Sequence, residues 1–229
     1  MALRLLTKQK TSTPEFRLAI IAIVVFLAMS LLSPDRFLSS QNIVSMAFQF
    51  PEFAILALAM TITMMTGGID LSVVGVANLT AVISALILVN FAGADATGMG
   101  ALLWLFAATA SAASVGALAG LFNGILVARM GLPPILATLG SGLVFTGIAV
   151  AMTGGSAVMG FPDAVAWIGN SQVFLVPVPL IIFVLLAVAL HVILTKTSFG
   201  LQATMYGANP LAALFAAIDI NKLLIRVYV

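Results

Sequence analysis

Thr66-Gly67-Gly68-Ile69-Asp70-Leu71-Ser72 lies within 43–91, a stretch that is otherwise almost wholly apolar. A charge near the centre of a bilayer costs at least ~2.5 kcal/mol on insertion scales, so a carboxylate in such a run is a functional-site candidate by default. The glycine pair beside it permits a turn or a broken helix, which puts Asp70 at a helix end, near water or protein rather than lipid. A spanning helix needs about 20 apolar residues. The stretch is long enough for two, and Gly67-Gly68 divides them.

Composition agrees with a membrane setting. The chain is 62% hydrophobic and 7% charged, with mean hydropathy +1.24, against roughly a quarter charged in soluble domains. Spanning segments are expected at 17–33, 43–66, 70–91, 101–128, 135–153 and 173–194, with a seventh beginning near Leu223. The fold class is therefore all-α: a polytopic transmembrane bundle of six complete spans plus the start of a seventh. The absence of cysteine excludes disulfides, thiolate chemistry and cysteine-ligated metal, and the sequence calls for no cofactor.

Basic residues set the orientation, because short cytoplasmic loops are enriched in them. Arg4, Lys8, Lys10 and Arg17 place the N-terminus inside, with 1–16 as a cytoplasmic segment. Alternation then puts Arg129, Lys196 and Lys222 inside and leaves Arg36 outside with Asp35, Asp95 and Asp163. Basic residues so placed speak to lipid and orientation, not to nucleic acid. The first run resembles a signal peptide with a weak site at Ala28-Met29-Ser30, but five further spans favour an uncleaved helix.

Several residues invite a specific role. Asp70 reads as the cap of a helix starting at Leu71, or as a charge on a permeation path or in a buried pair; these readings are compatible. Ala112, Gly116, Gly120 and Gly124 recur every fourth residue, a small-residue stripe suited to close helix packing. Met-Thr-Gly-Gly occurs at 65–68 and again at 152–155, in the manner of a weak inverted repeat. Pro51-Glu52 marks either a bend or a helix start near Phe53, the second being preferred.

His191 is the single histidine and reads as an interfacial polar residue. With no cysteine or clustered carboxylate it indicates no metal site. Ser141, in Gly140-Ser141-Gly142, is the serine that an intramembrane protease would pair with it. No glycine-rich loop ending in Gly-Lys occurs, so the chain has no P-loop. The loop 195–222 is long and predicted cytoplasmic, with Asn209-Pro210 as N-cap and first helical residue of a short apolar helix. Such a helix lies on the membrane surface or docks into a partner's groove.

Taken together, Ser33-Pro34 with Phe37 and Asn42, TGGIDLSV at 66–73, NGILVAR at 123–129, PPILATLG at 133–140, TKTSFG at 195–200 and YGANPLAALFAAIDINK at 206–222 resemble the membrane subunits of ribose/xylose-type sugar ABC importers, in family order. The resemblance implies a bacterial inner-membrane permease with an ABC ATPase inside, a periplasmic solute-binding protein outside and a second permease subunit, identical or different. It assigns Gly67, Gly68, Asp70 and Ser72 to the membrane signature, and Gly207, Asn209, Ala212 and Ala213 to the ATPase-contacting segment within 195–222. Val74, Ala208 and Ala217 stand where the family usually has glycine. The family also continues with further helices, so 1–229 is expected to be an incomplete permease domain. The competing functions are a secondary transporter or channel and, more remotely, an intramembrane enzyme. A proton-coupled carrier needs several intramembrane carboxylates or histidines in relay, and Asp70 and Glu52 are the candidates.

Overall fold

The computed structural model describes residues 13–229; Arg4, Lys8, Lys10 and most of the 1–16 segment lie outside the described residues. Six helices are long and apolar enough to cross a bilayer, matching the expected spans in order. Contacts divide the chain into two units, the boundary falling between Gln49 and Phe50.

In the first unit α1, Pro14–Leu32, starts with proline in its first turn and buries no side chain. A four-residue turn α2, Pro34–Phe37, follows. The motif residues form this corner. Ser33 ends α1, Asn42 donates its side-chain N–H to the Phe37 carbonyl at 2.8 Å, and the Phe26 and Phe37 rings meet edge-on at 5.2 Å.

Helix α3, Ser40–Met65, continues through Pro51. The expected start near Phe53 is therefore wrong, and Glu52 sits exposed inside the helix. Proline removes one backbone bond, but in spanning helices neighbouring helices, side chains and local backbone adjustments absorb the loss. A water-based stop signal is unreliable there. α4, Val73–Ile87, ends in a single widened turn, Leu88–Ala92, closed by Gly93 at φ +75°. α5, Gly98–Ala128, and α6, Pro134–Thr153, complete the centre of the second unit.

The repeated Met-Thr-Gly-Gly is a helix stop. In α3 the Gly67 N–H reaches the Met64 carbonyl, the Gly68 N–H reaches the Thr63 carbonyl, and Gly67 has φ +78°. In α6 Gly154 adopts φ +60° and the Gly155 N–H reaches the Val150 carbonyl. Both are left-handed glycine caps, so capping chemistry accounts for the recurrence.

After a short helix α7, Asp163–Asn170, the antiparallel pair β1, Gln172–Val173, and β2, Val176–Pro177, turns through Phe174 and Leu175 at φ +50° and +67°. Consequently α8, Val178–Lys196, starts later than the expected 173. The segment after it is folded. α9, Ser198–Ala208, doubles back on α8 at Gly200, where a Cβ would overlap the Leu194 carbonyl. α10, Pro210–Phe215, is capped by Asn209, whose side chain accepts the Ala212 N–H at 3.1 Å. Ala217 then adopts φ +57°, the conformation that favours the glycine expected there.

α11, Ile220–Tyr228, begins earlier than the expected Leu223 because Asp219 caps it, accepting the Lys222 N–H at 3.0 Å. The Lys222 backbone N–H, and then its ammonium, hold the Asp219 carboxyl below its ordinary value. The cap is thus made at neutral pH and lost as pH falls through that lowered value. Ala203 of α9, Leu223, Leu224 and Val227 of α11, Val127 of α5 and Ala137 of α6 form one buried cluster.

Candidate functional site

The glycine cap of α3 releases the chain into an irregular segment, Thr66–Ser72, before α4. Backbone groups exposed by such a break must be satisfied within the protein, and Thr138 of α6 supplies that here. Its hydroxyl accepts the Leu71 N–H at 3.0 Å and offers its one proton to the Pro134 carbonyl at 2.8 Å or the Ile69 carbonyl at 3.2 Å. Thr138 is fully buried.

The segment turns on Asp70, which is 8% exposed. Its Oδ1 accepts the Ser72 N–H at 2.8 Å and the Ser72 hydroxyl at 2.6 Å. This is a carboxylate turn two residues long that sets up α4. The helix starts at Val73, not at the expected Leu71, because the carboxylate takes the N–H of the residue preceding the helix. Since the Ser72 proton goes to Asp70, Asn123 of α5 must offer its N–H to the same hydroxyl, at 2.7 Å. The Asn123 Oδ1 is left buried without a partner, and this orientation of the amide follows from the Ser72 hydroxyl having spent its proton on Asp70. The ion pair found among the described residues is Lys222–Asp219; Asp70 is held by hydroxyl and amide rather than by a cation.

Close backbone packing holds these pieces together. A Cβ at Gly75 of α4 would overlap the Gly142 carbonyl of α6, and one at Gly142 would come within 3.0 Å of the Ser72 Cα. The α5 stripe serves two neighbours. A Cβ at Gly116 would meet the Thr80 methyl at 3.8 Å, one at Gly120 would overlap the Tyr228 carbonyl, and one at Gly124 would approach the Ile225 Cα to 2.9 Å. A cavity of about 260 Å³ results, lined by Thr63, Asp70, Ser72, Asn123, Gly120 and Tyr228.

Of the expected residues, Asp70, Ser72 and Gly120 meet at this cavity, while Gly67 and Gly68 line a second of about 340 Å³ with Thr66, Pro134, Tyr206 and Tyr228. Asn209, Ala212 and Ala213 line neither cavity, Asn209 capping α10 and the two alanines lying on it, whereas Gly207 of α9 packs on the Met65 and Thr66 backbone. Ala213 is fully buried in its own chain, whereas Leu211, Leu214 and Phe215 are 67%, 56% and 88% exposed. An external partner can therefore reach those three side chains and not Ala213. Ser141 donates to the Thr138 carbonyl at 3.2 Å and His191 is exposed, so no Ser–His pair forms among the described residues.

Four positions escaped the sequence reading: Thr138, Asn123, Gly75 and Gly142. Thr138 and Asn123 fall within motifs quoted for the resemblance, which was the available signal. Gly75 and Gly142 are far apart in sequence and form no stripe.

Among curated proteins, the chain is 32% identical over 215 residues to the ribose import permease protein RbsC of Escherichia coli K12. It is 29% identical over 210 residues to the D-allose transport system permease protein AlsC of the same strain, and 28% over 221 residues to the autoinducer 2 import system permease protein LsrD of Enterobacter sp. 638. These alignments take in 92%, 92% and 93% of this chain. The chain spans less than two thirds of the relatives' own length, at 63%, 61% and 64% respectively. No solved structure matches it. Residues 42–229, carrying the glycine break, the Asp70 turn and the α9–α10 arm, match the family described as the branched-chain amino acid transport system / permease component, and the chain belongs to that family.

Proposed function

We propose that the chain is a membrane-spanning permease component that passes a sugar or sugar-like solute across the bacterial inner membrane, driven by ATP hydrolysis in a separate ABC subunit. A solute-binding protein outside and a second permease subunit complete the assembly. The observation that carries the reading is α10. A capped helix on a folded arm presents Leu211, Leu214 and Phe215 with nothing of its own chain over them, as a helix docking into a partner's groove requires. The solute class rests on the import permeases named ribose, D-allose and autoinducer 2. A proton-driven carrier fits less well, because Asp70 is the one buried carboxylate among the described residues.

Phe215→Asp should separate the permease from its ATPase. Because Phe215 is 88% exposed, the change leaves the fold intact but sets a charge against an apolar groove, where an anchor residue is worth about 2 kcal/mol or more. Co-purification of the co-expressed ATPase should fall by about tenfold or more, with ATP-dependent uptake falling alongside it. Unchanged association with normal uptake would reject the reading.

The N-inside orientation is supported by Arg129, Lys196 and Lys222. With no native cysteine to clear, Thr97→Cys and Ser156→Cys should react with an impermeant thiol reagent applied from outside, and Thr197→Cys should not. All three positions are exposed. Labelling of position 197 from outside would reverse the topology.

A further inference from the structure

We propose that Gly207 is the joint through which the α9–α10 arm moves the broken end of α3, and so the Asp70 turn; this rests on the reading of α10 as the ATPase-docking helix. α9 and α3 meet backbone to backbone at this point. A Cβ at Gly207 would overlap the Met65 carbonyl and come within 3.4 Å of the Thr66 Cα. No side chain stands between them, so no rotamer change can absorb a displacement of α9, and packed backbone passes the shift on.

Both sides of the joint suit that role. On one side α9 is a rigid rod about 16 Å long, running from the Gly200 turn to the Asn209 cap that starts α10. Push on α10 and the rod's Gly207 end moves. On the other side the α3 terminus is closed by local bonds, the glycine cap and the Thr66 hydroxyl on the Thr63 carbonyl at 2.8 Å, before the chain enters the irregular segment carrying Asp70. The cavity of about 340 Å³ bounded by Thr66, Gly67, Gly68, Pro134, Tyr206 and Tyr228 adjoins the joint, so the segment has somewhere to go. Space beside a tight contact is what a two-position element needs. Gly207 is in this sense a positioning residue. It touches no solute and sets where the break sits.

The test is Gly207→Ala in the assembled transporter, with Gly140→Ala as control because a methyl there meets nothing within 4 Å. Alanine favours helix over glycine, so α9 itself is not weakened; only the joint is forced open. ATPase co-purification and basal ATP hydrolysis should stay within about twofold of the parent while uptake falls by about tenfold or more, the effect of overpacking a contact that cannot relax. Uptake equal to that of the control overturns the joint. If Gly207→Ala lowers membrane abundance, the double change Leu201→Gly with Thr204→Gly decides instead, since both positions are on the exposed side of α9. Softening the rod should give the same split between retained hydrolysis and lost uptake, and full uptake overturns the proposal. Failure of the parent chain to bind any ATPase would instead overturn the functional reading beneath it, a result visible before any variant is made.

Discussion

Asp70→Asn is expected to insert, accumulate and bind the ATPase normally while losing about nine tenths or more of solute uptake. The structural half of the expectation follows from the turn. Both bonds from Ser72 go to one carboxylate oxygen, at 2.8 and 2.6 Å, and an amide oxygen in the same place can accept both. Asparagine and aspartate also serve equally well in capping roles. The electrostatic half points the same way. A carboxyl group that is 8% exposed and lacks a cation partner among the described residues is poorly placed to carry charge, a cost the neutral amide never meets. For structure alone asparagine is the better residue.

What asparagine changes is the cavity. One of the two Asp70 oxygens becomes an N–H₂, so a residue lining the cavity exchanges an acceptor for a donor, and a hydroxyl-rich solute loses that acceptor. Membrane abundance, ATPase co-purification and uptake measured together decide the matter. Near-normal uptake at normal abundance would leave Asp70 as a structural turn and nothing more. Alanine or leucine would not be informative, since either also removes the turn.

Gly75→Val is expected to cost the fold itself. The added carbons would drive into the Gly142 carbonyl, and a backbone atom cannot rotate away as a side chain tip can. Overpacking of this kind costs about 1–3 kcal/mol, which for a chain of this size corresponds to a melting temperature lowered by about 2–12 °C. The damage should extend beyond α4, because Gly142 also packs on Ser72, so Asp70 would lose its partner geometry as the helices part. Gly147→Val supplies the comparison, with open space around its Cβ. Thermal unfolding in detergent reads both, and equal melting temperatures would show that the α4–α6 contact is looser than described.

The spans were legible because a bilayer imposes one requirement, a run of apolar residues long enough to cross it, and hydropathy reports that directly. Capping was legible at Asn209, where side-chain chemistry is local. Pro51 was misread because its meaning depends on what solvates the freed carbonyl, and neighbouring helices are invisible in a sequence. The start of α8 was misread for a related reason: Val173 through Val176 are as apolar as the span that follows, and only backbone geometry shows that they turn. At the candidate site the motif named Gly67, Gly68, Asp70 and Ser72. It could not say that Thr138 and Asn123 close the hydrogen bonds around them, since those partners arrive from other helices. Ala213 was assigned to an exterior contact because the resemblance places it in the ATPase-contacting segment within 195–222. Helical phase turns it inward and leaves Leu214 and Phe215 outside.

The packing of α11 on the glycines of α5 bears on how the chain is made. Gly120 and Gly124 find their partners, Tyr228 and Ile225, only about a hundred residues later in the sequence. At translation speeds of about 5–20 residues per second, the α5 face waits on the order of 5–20 s in the bilayer without its helix. Through that interval a groove of bare backbone, shaped for one helix, is open to any other. Insertion factors and membrane proteases would meet the nascent chain in that half-assembled form, so its yield in cells should depend on how soon α11 emerges as well as on the stability of the finished bundle.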